Sequence, residues 1–150
     1  MTRTDLAYRT AAAQGGSGLG LLLALYDTLA GDLRRAAHAE HRGDVEARCL
    51  EANHALLVIG HLEEWLRQGS GGTLAEQLSA FYGSLRRKVA EAQIARSEAM
   101  LEEQMKRVLE LREFWQRADQ QQAEARPEVI LPYPQMFAMP ADRNQGSWSA

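Results

Sequence analysis

All four prolines of this 150-residue chain lie at positions 127, 132, 134 and 140. Proline lacks a backbone N–H and clashes with the preceding helical turn, so a helix ends or kinks where it stands. Residues 17–123 contain no proline, and their apolar residues recur every three or four positions, which is the period of an amphipathic helix. The sequence therefore predicts an all-α fold made of long helices.

Breaks that contain glycine or a capping residue divide the proline-free part into four segments. The predicted helices are residues 19–40, 45–67, 73–95 and 98–122. Four helices of about 20 residues with short connections imply an antiparallel four-helix bundle. The predicted organisation is an amino-terminal arm at residues 1–18, the bundle at residues 19–123 and an extended tail at residues 124–150.

Specific residues mark the predicted helix ends. Gly43 can adopt the left-handed conformation that ends a helix, and Asp44 can accept amide protons from the next helix. Thr73 and Glu76 have the spacing of a capping box, in which each side chain bonds to the other residue's backbone. The other predicted N-caps are Ser17 and Ser97.

Each predicted helix carries one apolar stripe that we expect to be buried. The stripes are Leu22, Leu25, Leu29 and Leu33; then Val45, Cys49, Ala52, Leu56, Ile59, Leu62 or Glu63, and Leu66; then Leu74, Leu78, Phe81, Leu85, Val89 and Ala92; and finally Leu101, Met105, Val108, Leu111 and Trp115. Aromatic residues at helical spacing are typically core residues, so Phe81, Tyr82, Phe114 and Trp115 belong to the core on this criterion alone.

Charge and cysteine content narrow the classes of protein. The chain has 17 Lys and Arg against 20 Asp and Glu, which gives a formal net charge of -3. It therefore has no excess of basic residues to neutralise the phosphates of duplex nucleic acid. The basic run Arg86-Arg87-Lys88 is interpreted as a solvated helix face. Cys49 is the single cysteine and cannot form an internal disulfide, which fits a reducing cytoplasm.

The apolar run at residues 19–25 invites a second interpretation, as the core of a secretory signal. It is far shorter than the roughly 20 residues that span a bilayer. Asp5 stands where a signal has basic residues, and Tyr26-Asp27 stands where small residues precede a cleavage site. We expect the run to belong to a buried first helix.

No pattern in the sequence indicates an enzyme, a metal or a cofactor. A nucleophile motif, a phosphate-binding glycine loop and a nucleotide fingerprint are all missing. Glu51 and His54 form one Glu-x-x-His, a motif that di-iron bundles carry twice together with two further glutamates. A single copy predicts surface partners one helical turn apart. His54 and His61 share a helix face, but two imidazoles do not make a metal site.

The tail has an unusual composition for an extended segment. Its large apolar residues are Val129, Ile130, Leu131, Tyr133, Met136, Phe137 and Met139. Disordered segments are usually polar, and the prolines prevent these residues from forming a helical core of their own. Two interpretations stay open: the tail docks on the bundle, where it competes with or extends a binding groove, or it is an exposed extension.

Six short motifs in colinear order resemble the flagellar secretion chaperone family (FliS). They are Leu-Leu-Leu-Ala-Leu-Tyr-Asp at residues 21–27 preceded by Tyr8 and Ser17, Gly43-Asp44, Ala-Asn-His-Ala-Leu-Leu at residues 52–57, Leu-Ser-Ala-Phe-Tyr at residues 78–82, Glu-Ala-Gln at residues 91–93, and Leu-Arg-Glu-Phe-Trp at residues 111–115. The resemblance covers about residues 8–118 and excludes the tail. Gly18 replaces the family's usual proline, and Glu51 stands where a lysine is frequent.

The resemblance implies a cytoplasmic, non-enzymatic export chaperone. Such a chaperone binds the disordered carboxy-terminal segment of flagellin, prevents early polymerisation and assists flagellar type III secretion. The implied partners are flagellin and a component of the export gate, without membrane insertion. The protein itself is expected to be a monomer or a weak homodimer.

The client site is expected where apolar residues remain on the surface beyond the buried stripes, because amphipathic client helices bind in such grooves. The candidate client-binding residues are Tyr8, Leu21, Leu25, Tyr26, Asn53, Leu57, Phe81 and Tyr82. Tyr8 is interpreted either as a movable lid over this surface or as part of a disordered arm. The competing hypotheses are a regulatory helical adaptor with another amphipathic client and a catalytic or metal-storing bundle.

Overall fold

The computed structural model describes residues 18–125 and consists there of four α-helices. Their bounds are α1 (Gly18–Arg42), α2 (Val45–Arg67), α3 (Thr73–Ala95) and α4 (Glu98–Ala125). Each helix packs against the next one in the chain, and α4 closes the ring by packing against α1. The connections are only two to five residues long, so successive helices run in opposite directions. The predicted antiparallel four-helix bundle is confirmed.

The boundaries of α1, α2 and α4 follow the predicted capping chemistry. Gly43 has a φ of 74°, and the side chain of Asp44 accepts the backbone N–H of Ala47 at 3.0 Å. Ser97 accepts the backbone N–H of Met100 through its hydroxyl group at 3.1 Å. These three caps are confirmed, whereas Ser17 lies outside the described residues.

The predicted capping box at the start of α3 is wrong. Gly72 is the N-cap residue, with a φ of 104°, and no side chain caps the helix. Thr73 is already the first residue of the helix, and its hydroxyl group is one position too late to accept the free amide protons of the first turn. The backbone N–H of Glu76 bonds instead to the carbonyl oxygen of Gly72 at 3.0 Å.

The core is built from the predicted stripes with small rotations of the helices. Leu22, Leu25, Leu29 and Leu33 of α1 are all completely buried. On α2 the buried face is turned toward Ala55 and Val58, so Val45 is exposed and Cys49 and Leu56 are partly buried. Leu74, Phe81, Met105 and Leu111 are partly buried at the edges of the core.

Phe114 does not belong to the core. It is 48% exposed and touches the edge of its neighbour Trp115, which is almost completely buried. Adjacent helical residues point about 100° apart, so only one of the two can face the bundle axis. None of the four described helices carries an apolar stretch long enough to cross a membrane.

The buried stripes lead to a prediction about stability. Replacing the buried Leu85 by alanine is expected to reduce the free energy of unfolding by about 2–5 kcal/mol, because it removes packed methyl groups and leaves a cavity. The matched control is Leu50→Ala, since Leu50 is an exposed leucine of α2 and its truncation is expected to change stability by less than about 0.5 kcal/mol. Urea denaturation followed by circular dichroism measures both; equal losses would contradict the burial pattern.

Candidate functional site

An open groove lies on the outer surface between α2 and α3. Its volume is about 550 Å³, and the residues that line it are Asn53, Leu56, Leu57, Gly60, His61 and Arg86. Leu56 and Leu57 supply the apolar part of the lining, and Asn53, His61 and Arg86 add an amide, an imidazole and a guanidinium group. Gly60 has no side chain, which leaves space in the groove beside the guanidinium group of Arg86. The α2–α3 groove can therefore receive an apolar side chain flanked by polar groups.

Polar contacts between α2 and α3 hold the two walls of the groove in place. Arg86 of α3 forms an ion pair with Glu63 of α2. Toward the other end, the side-chain amide of Gln93 donates to Asn53 at 3.4 Å. Arg48 donates to the backbone carbonyl oxygen of Gln93 at 2.8 Å, and its own side chain is almost completely buried. The groove thus lies between two points at which the helices are bonded together.

Exposed apolar side chains extend the groove toward the start of α2. Leu50 and Leu57 are 66% and 52% exposed, and their spacing of seven residues places them two turns apart on one face of α2. Ile94 of α3 is 87% exposed and directly follows Gln93, the residue that contacts Asn53. Contiguous apolar surface marks interaction sites on soluble proteins, and Leu50 and Leu57 supply such surface on one face of α2.

Tyr26 and Tyr82 are not on the surface, contrary to the prediction from sequence. Both side chains are buried in the centre of the bundle, where their hydroxyl groups share a hydrogen bond of 2.8 Å. The indole N–H of Trp115 donates to the hydroxyl oxygen of Tyr26 at 3.1 Å. These bonds join α1, α3 and α4, so the polar ends of the tyrosines are satisfied inside the core rather than at a groove rim.

The remaining candidate residues fall into three positions. Leu25 is completely buried, so the structure does not place it on a client surface. Leu21 and Phe81 are partly buried at the edge of the core, and the guanidinium group of Arg107 lies 4.8 Å from the centre of the Phe81 ring. Asn53 and Leu57 line the α2–α3 groove. Tyr8 lies outside the described residues.

Sequence reasoning missed four of the groove residues: Leu56, Gly60, His61 and Arg86. The first three follow Asn53 and Leu57 at helical spacing, so the pattern on α2 contained a signal for them. Arg86 was interpreted as part of a solvated face, and only the packing of α3 against α2 brings it to the groove.

The Glu-x-x-His residues lie in the interface between α1 and α2, which corrects their predicted surface position. His54 bonds through Nδ1 to the completely buried Asp32 at 2.5 Å, and Glu51 accepts from Arg35 at 3.2 Å. Arg35 also donates to Asp32 at 2.7 Å. Within residues 18–125, no three His, Cys, Asp or Glu side chains come together as metal ligands.

A four-helix bundle with an open apolar groove between two helices is typical of helical modules that bind other polypeptides. Comparison with known families agrees with this class. Residues 1–122 match the family described as Flagellar protein FliS, and the chain belongs to this family. It is a chaperone family whose members are generally not enzymes. A search among curated proteins found no match.

The central tyrosines lead to a prediction about the hydrogen-bond network. Tyr26→Phe removes the oxygen that bonds both to Trp115 and to Tyr82, so we expect a loss of about 2–4 kcal/mol in the free energy of unfolding. Tyr82→Phe removes one bond and leaves the other in place, so its cost is expected to be about 1–2 kcal/mol. Each variant lacks one hydroxyl group, so urea denaturation compares their free energies of unfolding for the same chemical change. A larger cost for Tyr82→Phe would contradict the central position of Tyr26.

The same residues predict a dependence of stability on pH. Burial raises the pKa of Tyr82 well above its usual range, and burial together with the neighbouring Tyr82 raises the pKa of Tyr26. Above about pH 10 the unfolded chain loses tyrosine protons that the folded state retains. The folded state then binds more protons, so the free energy of unfolding falls as pH rises, by up to about 1.4 kcal/mol per pH unit for each tyrosine. Below that pH the stabilisation is fully present.

Denaturation curves recorded across this alkaline range test the prediction. The control is the double variant Tyr26→Phe and Tyr82→Phe, whose stability is expected to fall less steeply with pH. Parallel curves for the variant and the parent protein would show that the buried hydroxyl groups are not the cause.

Proposed function

We propose that this protein is a flagellar export chaperone that binds the disordered carboxy-terminal segment of flagellin in the α2–α3 groove. The observation that carries the proposal is the apolar surface at Leu57, which the bundle leaves uncovered between two helices that are otherwise bonded together. Membership of the FliS family supports the flagellar role. The bound client is kept from polymerising in the cytosol and is presented to the export gate.

The groove has the chemistry that an amphipathic helix requires. Leu56 and Leu57 contact the apolar residues of the client, which recur at helical spacing on one face. Leu50 and Ile94 offer further apolar contact over the next turns. Asn53 lies between Leu50 and Leu57 on the same face and provides hydrogen-bonding groups beside the apolar contact.

Binding of a disordered client explains how the complex can be extensive and still be released. The client loses conformational entropy when it becomes ordered, which offsets part of the favourable interaction free energy. A large surface of flagellin can therefore be covered while the affinity stays moderate. Release at the export gate then requires no chemical step, in agreement with a family that is generally non-enzymatic.

The proposal predicts the effect of one substitution in the groove. Leu57→Asp places a charge against the apolar face of the client, so we expect the affinity for a flagellin carboxy-terminal peptide to fall tenfold or more, which is about 1.4 kcal/mol. Isothermal titration calorimetry with the purified full chain measures the affinity. Leu57 is about half exposed, so the bundle is expected to stay folded with its helical circular dichroism retained.

The matched control is Phe114→Asp on α4, because Phe114 is exposed to nearly the same extent and lies outside the groove. Its affinity for the peptide is expected to equal that of the parent protein. Equal affinities for the parent and Leu57→Asp would place the client elsewhere. If a flagellin peptide binds none of these proteins, the client is a different amphipathic segment, as the adaptor hypothesis requires.

A further inference from the structure

We propose that residues 129–139 of this chain dock on the bundle with their last residues in the α2–α3 groove and compete there with the client. Docking depends only on residues of this chain, whereas the competition rests on the proposed function. These residues follow the part of the chain that matches the FliS family, which ends at residue 122. The proposal therefore concerns a feature that the family match does not cover.

The chemistry of the segment matches the groove. Residues 129–141 contain no charged residue, although 25% of the whole chain is charged. Seven large apolar side chains occur within residues 129–139, and the prolines at 132 and 134 prevent them from packing together as a helix. The segment can cover its apolar groups only against another surface, and the exposed groups at Leu50, Leu57 and Ile94 provide one.

The segment begins at the end of the bundle that holds the α2–α3 connection. The bond between Trp115 and Tyr26 places the second half of α4 beside the first half of α1, and the bond between Tyr26 and Tyr82 places the first half of α3 at the same level. Ala125, where α4 ends, therefore lies at the end of the bundle that also holds the α2–α3 connection at residues 68–72.

The length of the segment allows it to reach the groove. Ala125 lies ten residues beyond Trp115, or about 15 Å along the axis, and Arg86 lies four residues from Tyr82 in the opposite direction, or about 6 Å. Crossing one neighbouring helix adds about 10 Å. Residues 126–137 span up to about 40 Å when extended. The ion pair with Glu63 places Arg86 about 9 Å along the axis from Leu57, so the last apolar residues of the segment, Phe137 and Met139, can lie over Leu57.

A second depression of about 380 Å³ lies at this end of the bundle, next to the α2–α3 connection. Leu66 and Ala75 contribute apolar surface to it, and Gly71 and Gly72 have open space where a side chain would stand. A chain that passes from the end of α4 to the groove can cross here without displacing a side chain.

Tethering makes even weak docking effective. A connection of only a few residues gives the segment an effective concentration of about 1 mM or more at the groove. If the dissociation constant of the untethered segment for the groove is several times lower than this effective concentration, the tethered segment would weaken client binding about threefold to tenfold. The client must then displace the segment before it binds, which limits binding of weaker clients.

The first experiment tests docking without any client, by ¹⁵N-resolved NMR spectra of the full chain. The variant carries Ile130→Asp and Phe137→Asp together, and its control is Trp148→Asp, which introduces a charge in place of an apolar residue beyond the segment. We expect the amide signals of Leu57, Gly60 and Arg86 to shift in the double variant and to stay in place in the control. Shifts confined to residues near the substitutions would overturn the proposal.

A spin label tests direct proximity in the same chain. Cys49 is the only cysteine, so Ala138→Cys in a Cys49→Ala background gives a single labelling position. We expect the label to broaden the signals of Asn53, Leu57 and Gly60, at both high and low protein concentration. Broadening that disappears on dilution would show that a second copy supplies the segment, which contradicts docking within one chain.

The second experiment measures competition with the flagellin peptide by calorimetry. The double variant is expected to bind the peptide about threefold to tenfold more tightly than the parent protein and the Trp148→Asp control. Competition would be overturned if the double variant and the parent protein bind the peptide equally well, although the double variant shifts the groove signals and Leu57→Asp still weakens binding of the peptide. If the double variant binds the peptide more tightly and Leu57→Asp does not change the affinity for the peptide, the client site of the proposed function is contradicted instead.

Discussion

The hydroxyl group of Tyr26 is the point at which three of the four helices meet. It bonds to Tyr82 of α3 and accepts the indole N–H of Trp115 from α4. Buried polar groups must be paired, so these bonds fix how α1, α3 and α4 are rotated and shifted relative to one another. Leu22, Leu25 and Leu29 of α1 fill the turns around this centre and are completely buried.

The helix α2 is attached by different contacts, and the groove lies on its outer side, next to α3. Its inner face carries Ala52, Ala55, Val58, Ile59 and Leu62, which are completely buried. Its polar bonds run to both neighbouring helices: His54 bonds to the buried Asp32 of α1, and the buried Arg48 bonds to α3. The outer residues Leu50 and Leu57 remain exposed in the described part of the bundle, and the surface beside α3 is open, with apolar groups flanked by polar ones.

This arrangement connects the family assignment with the two proposals. The buried tyrosines maintain the shape of the bundle, and the uncovered surface at Leu50 and Leu57 is available for a partner. The two proposed occupants are an amphipathic flagellin segment and residues 129–139, a stretch with seven large apolar residues and no charged residue. In the two proposals one groove accepts either segment, so client binding would depend on the chain's own carboxy-terminal residues.

The sequence by itself determined the fold and most helix ends, because helical period, glycine and proline act locally. It also located Asn53 and Leu57 on an exposed face of α2. Which aromatic residues face inward was decided by tertiary packing: Tyr82 and Phe81 are adjacent, yet only Tyr82 reaches the hydroxyl of Tyr26. Arg86 joined the groove for the same reason, since neither helix alone specifies which face its neighbour covers.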